Sequence, residues 1–268
     1  MKKNKVKIAC LQTTSSKDPQ KNMSMLEQLF EKVSSNVDLI CLPECVAIFS
    51  DNKKDLDFFS KKYRESFFNL ITFYAKKKKS AILVGSVPEK LNGSKFVNRS
   101  YIFNAKGVQK SSYDKINLFD VNLNKNEKYL ESKNYIAGKK LVVSDLLWGK
   151  LGMSICYDLR FPNLYRKLTK KGAQFFSIPA AFTFTTGKAH WHSLIRARAI
   201  ENGCFVFAPA QCGVHDNGRR TYGHSMIVNP WGKILVEANK NKKQIISTII
   251  NIDEIGNSRK KIPSMTQF

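Results

Sequence analysis

Acidic residues and long apolar segments are both scarce in this sequence, and each shortage limits what the protein can be. Its 268 residues include 21 Asp and Glu against 45 Lys and Arg, which gives a formal net charge of +24. No segment approaches the length of a membrane span, so we expect no contact with a membrane. The lysines are scattered in doublets without the interleaved aromatic residues of a single-strand groove, and we expect no specific nucleic-acid site.

Nucleotide-binding loops, paired cysteines and flexible linkers are also absent. The chain contains neither a GxxxxGK[ST] nor a GxGxxG segment, which removes the usual nucleotide cofactors. No CxxC pair occurs, and the cysteines mostly lie within apolar runs, at Cys10, Cys41, Cys45, Cys156, Cys204 and Cys212. This pattern indicates reduced thiols, and the apolar run after residues 1–5 is too short for a signal peptide, so we predict a cytoplasmic protein. Because no Gly/Pro/Ser-rich linker divides the chain, residues 1–268 are predicted to form a single domain.

The few histidines are clustered but do not have the spacing of a metal site. All four lie between residues 190 and 224, at His190, His192, His215 and His224. His190 and His192 are two residues apart on a predicted helix and therefore point to different faces. The HExxH spacing is absent, and no Cys or carboxylate pattern completes a zinc site. We expect these side chains to serve in packing and hydrogen bonding, and we expect no metal and no cofactor.

Apolar patterning alternates strands, helices and hairpins along the chain, which indicates an α/β fold. Strands are predicted at 6–11, 38–44, 81–87, 175–179, 204–208 and 245–252. Helices are predicted at 19–33, with Asp18 as the N-cap and Pro19 at N1, and at 55–78, 162–172 and 188–202, the last ended by Gly203. Hairpins are predicted at 96–114 around Gly107, at 141–156 around Gly149-Lys150, and at 225–237 around 229–232.

One cysteine follows an apolar strand and is the first candidate for a nucleophile. Cys156 ends the run Leu151–Ile155 and precedes the helix that begins at Pro162, a position where α/β sheets place reactive groups. The positive field of a helix N-terminus there favours thiolate, the nucleophilic form. A buried inert thiol is the alternative for this residue taken alone.

Three charged residues complete a set suited to acyl transfer from an amide. Glu44 ends the predicted strand at 38–44, where partial burial would raise its pKa into the range of a general base. Lys115 lies among Tyr, Ile, Leu and Phe, and an ammonium held there is suited to stabilising an oxyanion. Glu131 lies beyond a loop rich in Asn and Lys and is predicted to position Lys115 or the substrate. Taken alone, Glu44 and Lys115 are better explained as ordinary surface charges, and for Glu131 the two explanations are about even.

The segments around these residues resemble one enzyme superfamily. Leu42-Pro43-Glu44, Tyr113-Asp114-Lys115-Ile116-Asn117-Leu118-Phe119-Asp120 and Cys156-Tyr157-Asp158-Leu159-Arg160-Phe161-Pro162 together are similar to motifs of the nitrilase superfamily of carbon-nitrogen hydrolases. The similarity continues in order through 186–192, 196–202, 222–225 and 229–232 and so covers nearly the whole chain. It is strongest to the Nit branch, which includes deaminated-glutathione amidase and omega-amidase.

This resemblance implies a fold and a set of site residues. The implied fold is a four-layer α-β-β-α sandwich, and the implied catalytic triad is Glu44, Lys115 and Cys156, with Glu131 as a second glutamate. Implied substrate contacts are Arg160, Phe182 and Thr186, and the Tyr157 backbone N–H is predicted to help hold the oxyanion. An internal ion pair, a core position and a helix cap are the respective alternative roles of Arg160, Phe182 and Thr186.

The predicted reaction is hydrolysis of a small carboxylate-bearing amide through a thioester on Cys156, with release of ammonia. Deaminated glutathione is the first candidate substrate, and α-ketoglutaramate or another small linear amide or N-carbamoyl compound is the alternative. Two other classes stay open, a basic nucleic-acid-binding protein without catalysis and a scaffold that keeps the fold without turnover. The expected partners are the amide substrate and further copies of the chain in a homodimer or larger homo-oligomer.

Overall fold

Two six-stranded β-sheets form the framework of the protein in the computed structural model, which describes residues 3–91, 93, 95–124 and 127–264. The first sheet contains, in spatial order, β16 (Gln244–Asn251), β1 (Lys5–Gln12), β2 (Leu39–Cys41), β3 (Ala81–Lys90), β4 (Phe96–Phe103) and β5 (Gln109–Asp114). Strands β1, β2 and β3 are parallel, whereas β16, β4 and β5 run antiparallel to their neighbours. Parallel neighbours require crossover connections, and helices supply them.

The second sheet follows the same plan. It contains, in spatial order, β15 (Ile234–Glu237), β14 (Met226–Val228), β11 (Phe205–Ala208), β10 (Phe175–Ser177), β9 (Gly149–Met153) and β8 (Val143–Leu146). Its three central strands β9, β10 and β11 are parallel. Two further strand pairs lie outside both sheets, β6 (Asp120–Asn124) with β7 (Glu127–Leu130) and β12 (Cys212–Val214) with β13 (Arg220–Tyr222).

Helices cover the outer face of each sheet. The described helices are α1 (Pro19–Lys32), α2 (Lys53–Lys62), α3 (Arg64–Lys78), α4 (Pro162–Lys170), α5 (Phe184–Asn202) and α6 (Asp253–Lys261). Successive residues of a strand face opposite sides of its sheet. Along β1, Cys10 belongs to the core shared with the second sheet, whereas Leu11 belongs to the core under α1, α2 and α3. On the second sheet, Phe176 packs against Tyr165 of α4. The layers therefore have the α-β-β-α order that was predicted.

Helix ends follow the predicted capping chemistry, with one shifted start. The Asp18 side chain accepts hydrogen bonds from two N–H groups of the first turn of α1, and Pro19 is its first residue, as predicted. Gly203 ends α5 in the left-handed conformation, also as predicted. However, α5 begins at Phe184 rather than 188, because the Thr183 side chain accepts from the Thr186 N–H and caps the helix four residues earlier.

The single helix predicted at 55–78 was wrong, because the chain forms α2 and α3 with a break at Tyr63. Leu56 and Phe59 are the buried residues of α2, and Phe67 is the first buried residue of α3. Around a straight helix Phe59 and Phe67 would differ by about 80° in direction, since each residue turns about 100°. The break lets both apolar faces meet the first sheet.

Several other boundaries also differ from the predictions. The hairpin at 141–156 turns at Leu147-Trp148, so Gly149 begins β9 instead of forming the turn. Helix α6 and the strand pairs β6–β7 and β12–β13 were not predicted, because their sequences are largely polar. In the part of the chain that the structure describes, no helix is both long and apolar enough to cross a bilayer.

Two glycines allow the close backbone approaches that hold the loops carrying Glu44 and Lys115. A Cβ atom at Gly85 of β3 would lie 2.0 Å from the Leu42 carbonyl oxygen and 2.4 Å from that of Pro43. A Cβ atom at Gly138 would lie 2.2 Å from the Asp114 carbonyl oxygen. Backbone atoms cannot yield as a flexible side chain can, so neither position has room for a side chain.

Replacing Gly85 is therefore expected to destabilise the protein. Gly85→Ala should lower the free energy of unfolding by about 1–3 kcal/mol, because the added methyl group overpacks against two carbonyl groups. Urea unfolding measures the change. Gly256→Ala is the matched control, since Gly256 lies in α6 with no atom near the added Cβ, and better helix propensity should stabilise it by up to about 1 kcal/mol. Equal stability of the Gly85→Ala variant and the unmodified protein would contradict the close approach.

Candidate active site

The loops that follow β2, β5 and β9 bring Glu44, Lys115 and Cys156 to one cavity of about 230 Å³. All three side chains line the cavity and are at least nine-tenths buried. Because β2 and β5 belong to the first sheet and β9 to the second, the site joins the two sheets. Glu131, in a 3₁₀ turn directly after β7, lines the same cavity.

The Lys115 ammonium lies between two carboxylates at the base of the site. Lys115 Nζ is 2.9 Å from Glu44 Oε1 and 2.8 Å from Glu131 Oε2. The Asn98 side-chain amide donates to both carboxylates, at 3.0 Å to Glu44 Oε1 and 3.0 Å to Glu131 Oε1. Backbone N–H groups complete the network, from Ala181 to Glu44 Oε2 and from Phe119 to Glu131 Oε2. Glu131 thus contacts Lys115, and its role in positioning Lys115 or the substrate stays a prediction.

This network sets the protonation states of Glu44 and Lys115. Burial acts to raise the pKa of Glu44, but the charge and hydrogen bond of Lys115 outweigh it, and the pKa lies below the ordinary value of 4.5. The expectation that burial would raise this pKa was therefore wrong, since it ignored the ammonium. Burial acts to lower the pKa of Lys115, but Glu131 and Glu44 hold it well above 10.5. Near neutral pH the pair is an ion pair.

Cys156 is held in a strained backbone conformation as a neutral thiol. Its φ of 47° lies in the left-handed region, which is uncommon for a residue with a side chain and costs conformational energy. Its N–H donates to the Pro179 carbonyl oxygen at 2.9 Å. Burial, followed by the nearby charge of Glu44, raises the pKa of Cys156 well above 9.0. The predicted stabilisation of thiolate by a following helix was wrong, because α4 begins only at Pro162 and such fields act over about one turn.

Asp158 links the turn that carries Cys156 to the loop that carries Lys115 through hydrogen bonds. Its Oδ2 accepts from the Tyr113 hydroxyl at 2.7 Å and from the Ile155 N–H at 2.9 Å. Its Oδ1 accepts from the backbone N–H and the side-chain amide of Asn117, at 3.0 Å and 2.8 Å. Burial raises the pKa of Asp158 in spite of these four donors. The carboxylate thus joins the two sheets beside the nucleophile.

The residues predicted as substrate contacts lie beside this cavity rather than along its wall. Arg160 Nη1 is 3.1 Å from His190 Nδ1, and the guanidinium lies 5.1 Å from the ring centroid of Phe182. Phe182 is buried against Trp191. Thr186 lies in the first turn of α5, with its hydroxyl 2.8 Å from that of Thr183. The Tyr157 side chain packs against Phe119. Their substrate roles stay predictions.

Among the lining residues that were not predicted from the sequence, Asn98 and Arg219 are the two whose polar side chains matter most to the site. Asn98 of β4 hydrogen-bonds both carboxylates of the site, although it lies in a strand pattern that carries no chemical signal. Arg219 lies just before β13 and looks in the sequence like any of the scattered basic doublets. Only the pairing of β12 with β13 places Arg219 at the cavity. No local sequence feature distinguishes either residue.

A second cluster of polar side chains involves two of the histidines. Glu237 Oε1 lies 2.9 Å from His192 Nε2 and 2.5 Å from His224 Nδ1. The potential metal-ligand atoms of the three residues all lie within 4.8 Å of one another. Two imidazoles and a carboxylate are suitable ligands for a divalent transition metal. Sequence spacing did not reveal this cluster, because Glu237 belongs to β15 and reaches the others through sheet packing. His190 and His192 contact different partners, as predicted for opposite helix faces.

Comparison with known proteins identifies the family. The family model described as "Carbon-nitrogen hydrolase" matches residues 7–260 of the chain. The chain therefore belongs to the carbon-nitrogen hydrolase family, which confirms the predicted superfamily and the predicted class of enzyme, a hydrolase acting on amides. The chain is 40% identical to a deaminated glutathione amidase of Dictyostelium discoideum, over 97% of this chain and 93% of that protein.

Two further relatives support the branch and the fold. The chain is 32% identical to omega-amidase NIT3 of Saccharomyces cerevisiae, over 98% of this chain and 93% of that protein. Its structure resembles the crystal structure of the Caenorhabditis elegans NitFhit protein, with a TM-score of 0.91 and 33% identity. This match covers 100% of the present chain and 66% of that longer chain. The predicted nitrilase-type sandwich is confirmed.

Removing one hydrogen-bond acceptor from the Asp158 side chain should destabilise the site. In Asp158→Asn an amide group replaces one carboxylate oxygen and faces two donors, whichever way the side chain is oriented. We expect a loss of about 1–3 kcal/mol in unfolding free energy, together with a fall in kcat, because the Cys156 turn loses its support. Thermal unfolding and turnover measure both effects. Asp145→Asn is the control, since Asp145 is exposed and pairs only loosely with Lys150. If both variants kept the thermal midpoint of the unmodified protein, the hydrogen bonds of Asp158 would not stabilise the site.

Proposed function

We propose that the protein hydrolyses a small carboxylate-bearing amide to ammonia and an acid, with Cys156 as the nucleophile. The observation that carries this proposal is the buried contact of Lys115 with Glu44, in a cavity that Cys156 also lines. An ionised carboxylate beside a neutral thiol is the starting state for general-base attack. A residue set of this kind has no evident use in a nucleic-acid-binding protein or an inactive scaffold.

In the first half of the reaction, Glu44 takes the proton of the Cys156 thiol as sulfur attacks the amide carbon. Negative charge develops on the amide oxygen. The Lys115 ammonium, which donates to Glu44 and to both carboxylate oxygens of Glu131, stabilises this oxyanion through its positive charge. The Tyr157 backbone N–H, in the first turn after the nucleophile, supplies a second donor. Glu44 returns the proton to nitrogen, ammonia leaves, and a thioester to Cys156 remains.

In the second half, Glu44 acts as the base for water. Water loses a proton to Glu44 as its oxygen attacks the thioester carbon, and the same donors stabilise the second oxyanion. Collapse of this intermediate breaks the carbon–sulfur bond, and the proton on Glu44 returns to Cys156. The net change is amide plus water to carboxylic acid plus ammonia. Every proton transfer uses residues of the buried site.

For the substrate, we propose deaminated glutathione first and α-ketoglutaramate second. The order follows the relatives, since the protein named deaminated glutathione amidase is 40% identical and the one named omega-amidase is 32% identical. Both candidates carry a carboxylate. The cavity wall carries four cations against three carboxylates, and this excess of positive charge favours an anionic substrate. The cations are Lys115, Lys128, Lys133 and Arg219, and the carboxylates are Glu44, Asp51 and Glu131.

Ammonia release from both amides tests the proposal. Cys156→Ala should release none above background, and Cys156→Ser should be slower by at least about 10³-fold, because a hydroxyl is much harder to deprotonate. Glu44→Gln should be slower by about 10²–10⁴-fold, the usual contribution of a general base. Unaltered circular dichroism and thermal midpoints establish that each variant folds. Wild-type rates of ammonia release by Cys156→Ala would contradict the proposal that Cys156 is the nucleophile. If the unmodified protein hydrolysed neither amide, the proposed substrates would be wrong.

The pH dependence should have a broad plateau. Catalysis requires ionised Glu44, so activity is lost only as pH falls through its pKa, which lies below 4.5. Cys156 and Lys115 keep their protons well above pH 9.0. For butyramide, which has no ionisable group, we expect kcat/KM to be constant from about pH 5.5 to 8.5. An acidic limb centred near pH 6 to 7 would show instead that Glu44 has a raised pKa.

A further inference from the structure

Arg219 lies at the wall of the same cavity and is held there by aromatic rings. Its guanidinium carbon lies 4.7 Å from the ring centroid of Tyr129, 5.4 Å from that of Phe49 and 5.7 Å from that of Phe119. All four side chains line the cavity. Three rings from separate segments lie around the guanidinium within the range of cation–π attraction.

The hydrogen-bonding capacity of Arg219 is mostly unused. Its Nη2 donates to the Ala181 carbonyl oxygen at 2.9 Å, whereas its buried Nε has no hydrogen-bond partner. Over the described ranges, no carboxylate forms an ion pair with this guanidinium. Other partly buried arginines do have such a partner, as Arg99 has in Asp114 and Arg64 has in Glu89. A guanidinium withdrawn from water without an anionic partner is an unfavourable arrangement that an anionic ligand would relieve.

The other charges of the cavity favour an anion near Arg219. Glu44 and Glu131 form their ion pairs with Lys115 rather than with Arg219. The third carboxylate of the wall, Asp51, accepts from the Asn217 side-chain amide at 2.9 Å and forms no ion pair with Arg219. Lys128 and Lys133 also line the cavity and add positive charge. Arg160, the residue predicted for a substrate carboxylate, contacts His190 instead and does not line this cavity. Arg219 is therefore the arginine available to a ligand at this site.

We propose that Arg219 forms a carboxylate subsite, which selects acyclic amides with an ionised carboxylate remote from the scissile amide over neutral amides of the same length. The proposal rests on the proposed amidase function and deepens it. A carboxylate can accept from Nε and from a terminal N–H of the guanidinium together, in the bidentate geometry that arginine favours. The three rings keep the guanidinium in place before the substrate arrives, which reduces the entropy lost on binding.

Two amides of equal chain length separate this role from a structural one. Succinamate carries a terminal carboxylate, and butyramide has a methyl group in its place. We expect Arg219→Gln to lower kcat/KM for succinamate by about 10–100-fold, chiefly through KM, as for loss of a charged hydrogen-bonded pair. The ratio of kcat/KM for succinamate to that for butyramide should fall by a similar factor. Arg219→Lys should retain part of the selectivity, because it keeps the charge without the bidentate geometry.

Arg220→Gln is the matched control. Arg220 is the exposed neighbour, its guanidinium lies 3.7 Å from the ring centroid of Phe184, and it does not line the cavity. Its substitution removes the same charge one residue away and should leave the selectivity ratio unchanged. An equal loss for both amides in Arg219→Gln, or an equal change of the ratio in Arg220→Gln, would overturn the proposed subsite.

A binding measurement distinguishes failure of the subsite from failure of the proposed function. Isothermal titration calorimetry of succinate into the Cys156→Ala variant needs no turnover. We expect saturable binding that weakens by about 10-fold or more when Arg219→Gln is added. Binding unaffected by Arg219→Gln would refute the subsite, even if the enzyme hydrolyses amides. Arg219-dependent binding by a protein that hydrolyses neither amide would instead refute the proposed function.

Discussion

The contact of one buried ammonium with two buried carboxylates is the constraint on which the site depends. Lys115 holds Glu44 and Glu131 at 2.9 Å and 2.8 Å, and removal of Lys115 would leave two buried carboxylates without their cationic partner. The same contact lowers the pKa of Glu44, whereas burial and the charge of Glu44 raise the pKa of Cys156 and keep it a thiol. In the proposed mechanism, the proton therefore leaves Cys156 as sulfur attacks the substrate carbon.

The fold brings this contact, which the loops after β2 and β5 of the first sheet carry, together with Cys156, which follows β9 of the second sheet. Asp158 connects the Cys156 turn to the Lys115 loop through four hydrogen bonds. Gly85 and Gly138 let the backbone segments before Glu44 and Lys115 approach their neighbours without a side chain between them. The strained φ of Cys156 is maintained by this surrounding structure. The position of Cys156 is thus a property of the packed sandwich rather than of one loop.

Local patterns predicted the parts of the structure that local physics determines. The cap at Asp18, the end of α5 at Gly203 and the β4–β5 hairpin depend on neighbouring residues and were correct. The break at Tyr63 was missed because it depends on how two apolar faces meet a sheet. The pKa directions of Glu44 and Cys156 were missed for a similar reason, since the first depends on Lys115, far away in the chain, and the second chiefly on burial in the folded protein. Arg219, Asn98 and the partner of His192 are tertiary contacts without a sequence signal.

The central claim is that the buried site makes Cys156 the residue that carries the acyl group. Intact-protein mass spectrometry after a rapid acid quench of enzyme and amide measures this directly. The account predicts an added mass equal to the substrate minus ammonia, located on the peptide that contains Cys156. Ammonia release without any adduct, or with an adduct on another cysteine such as Cys45 of the same cavity, would contradict it.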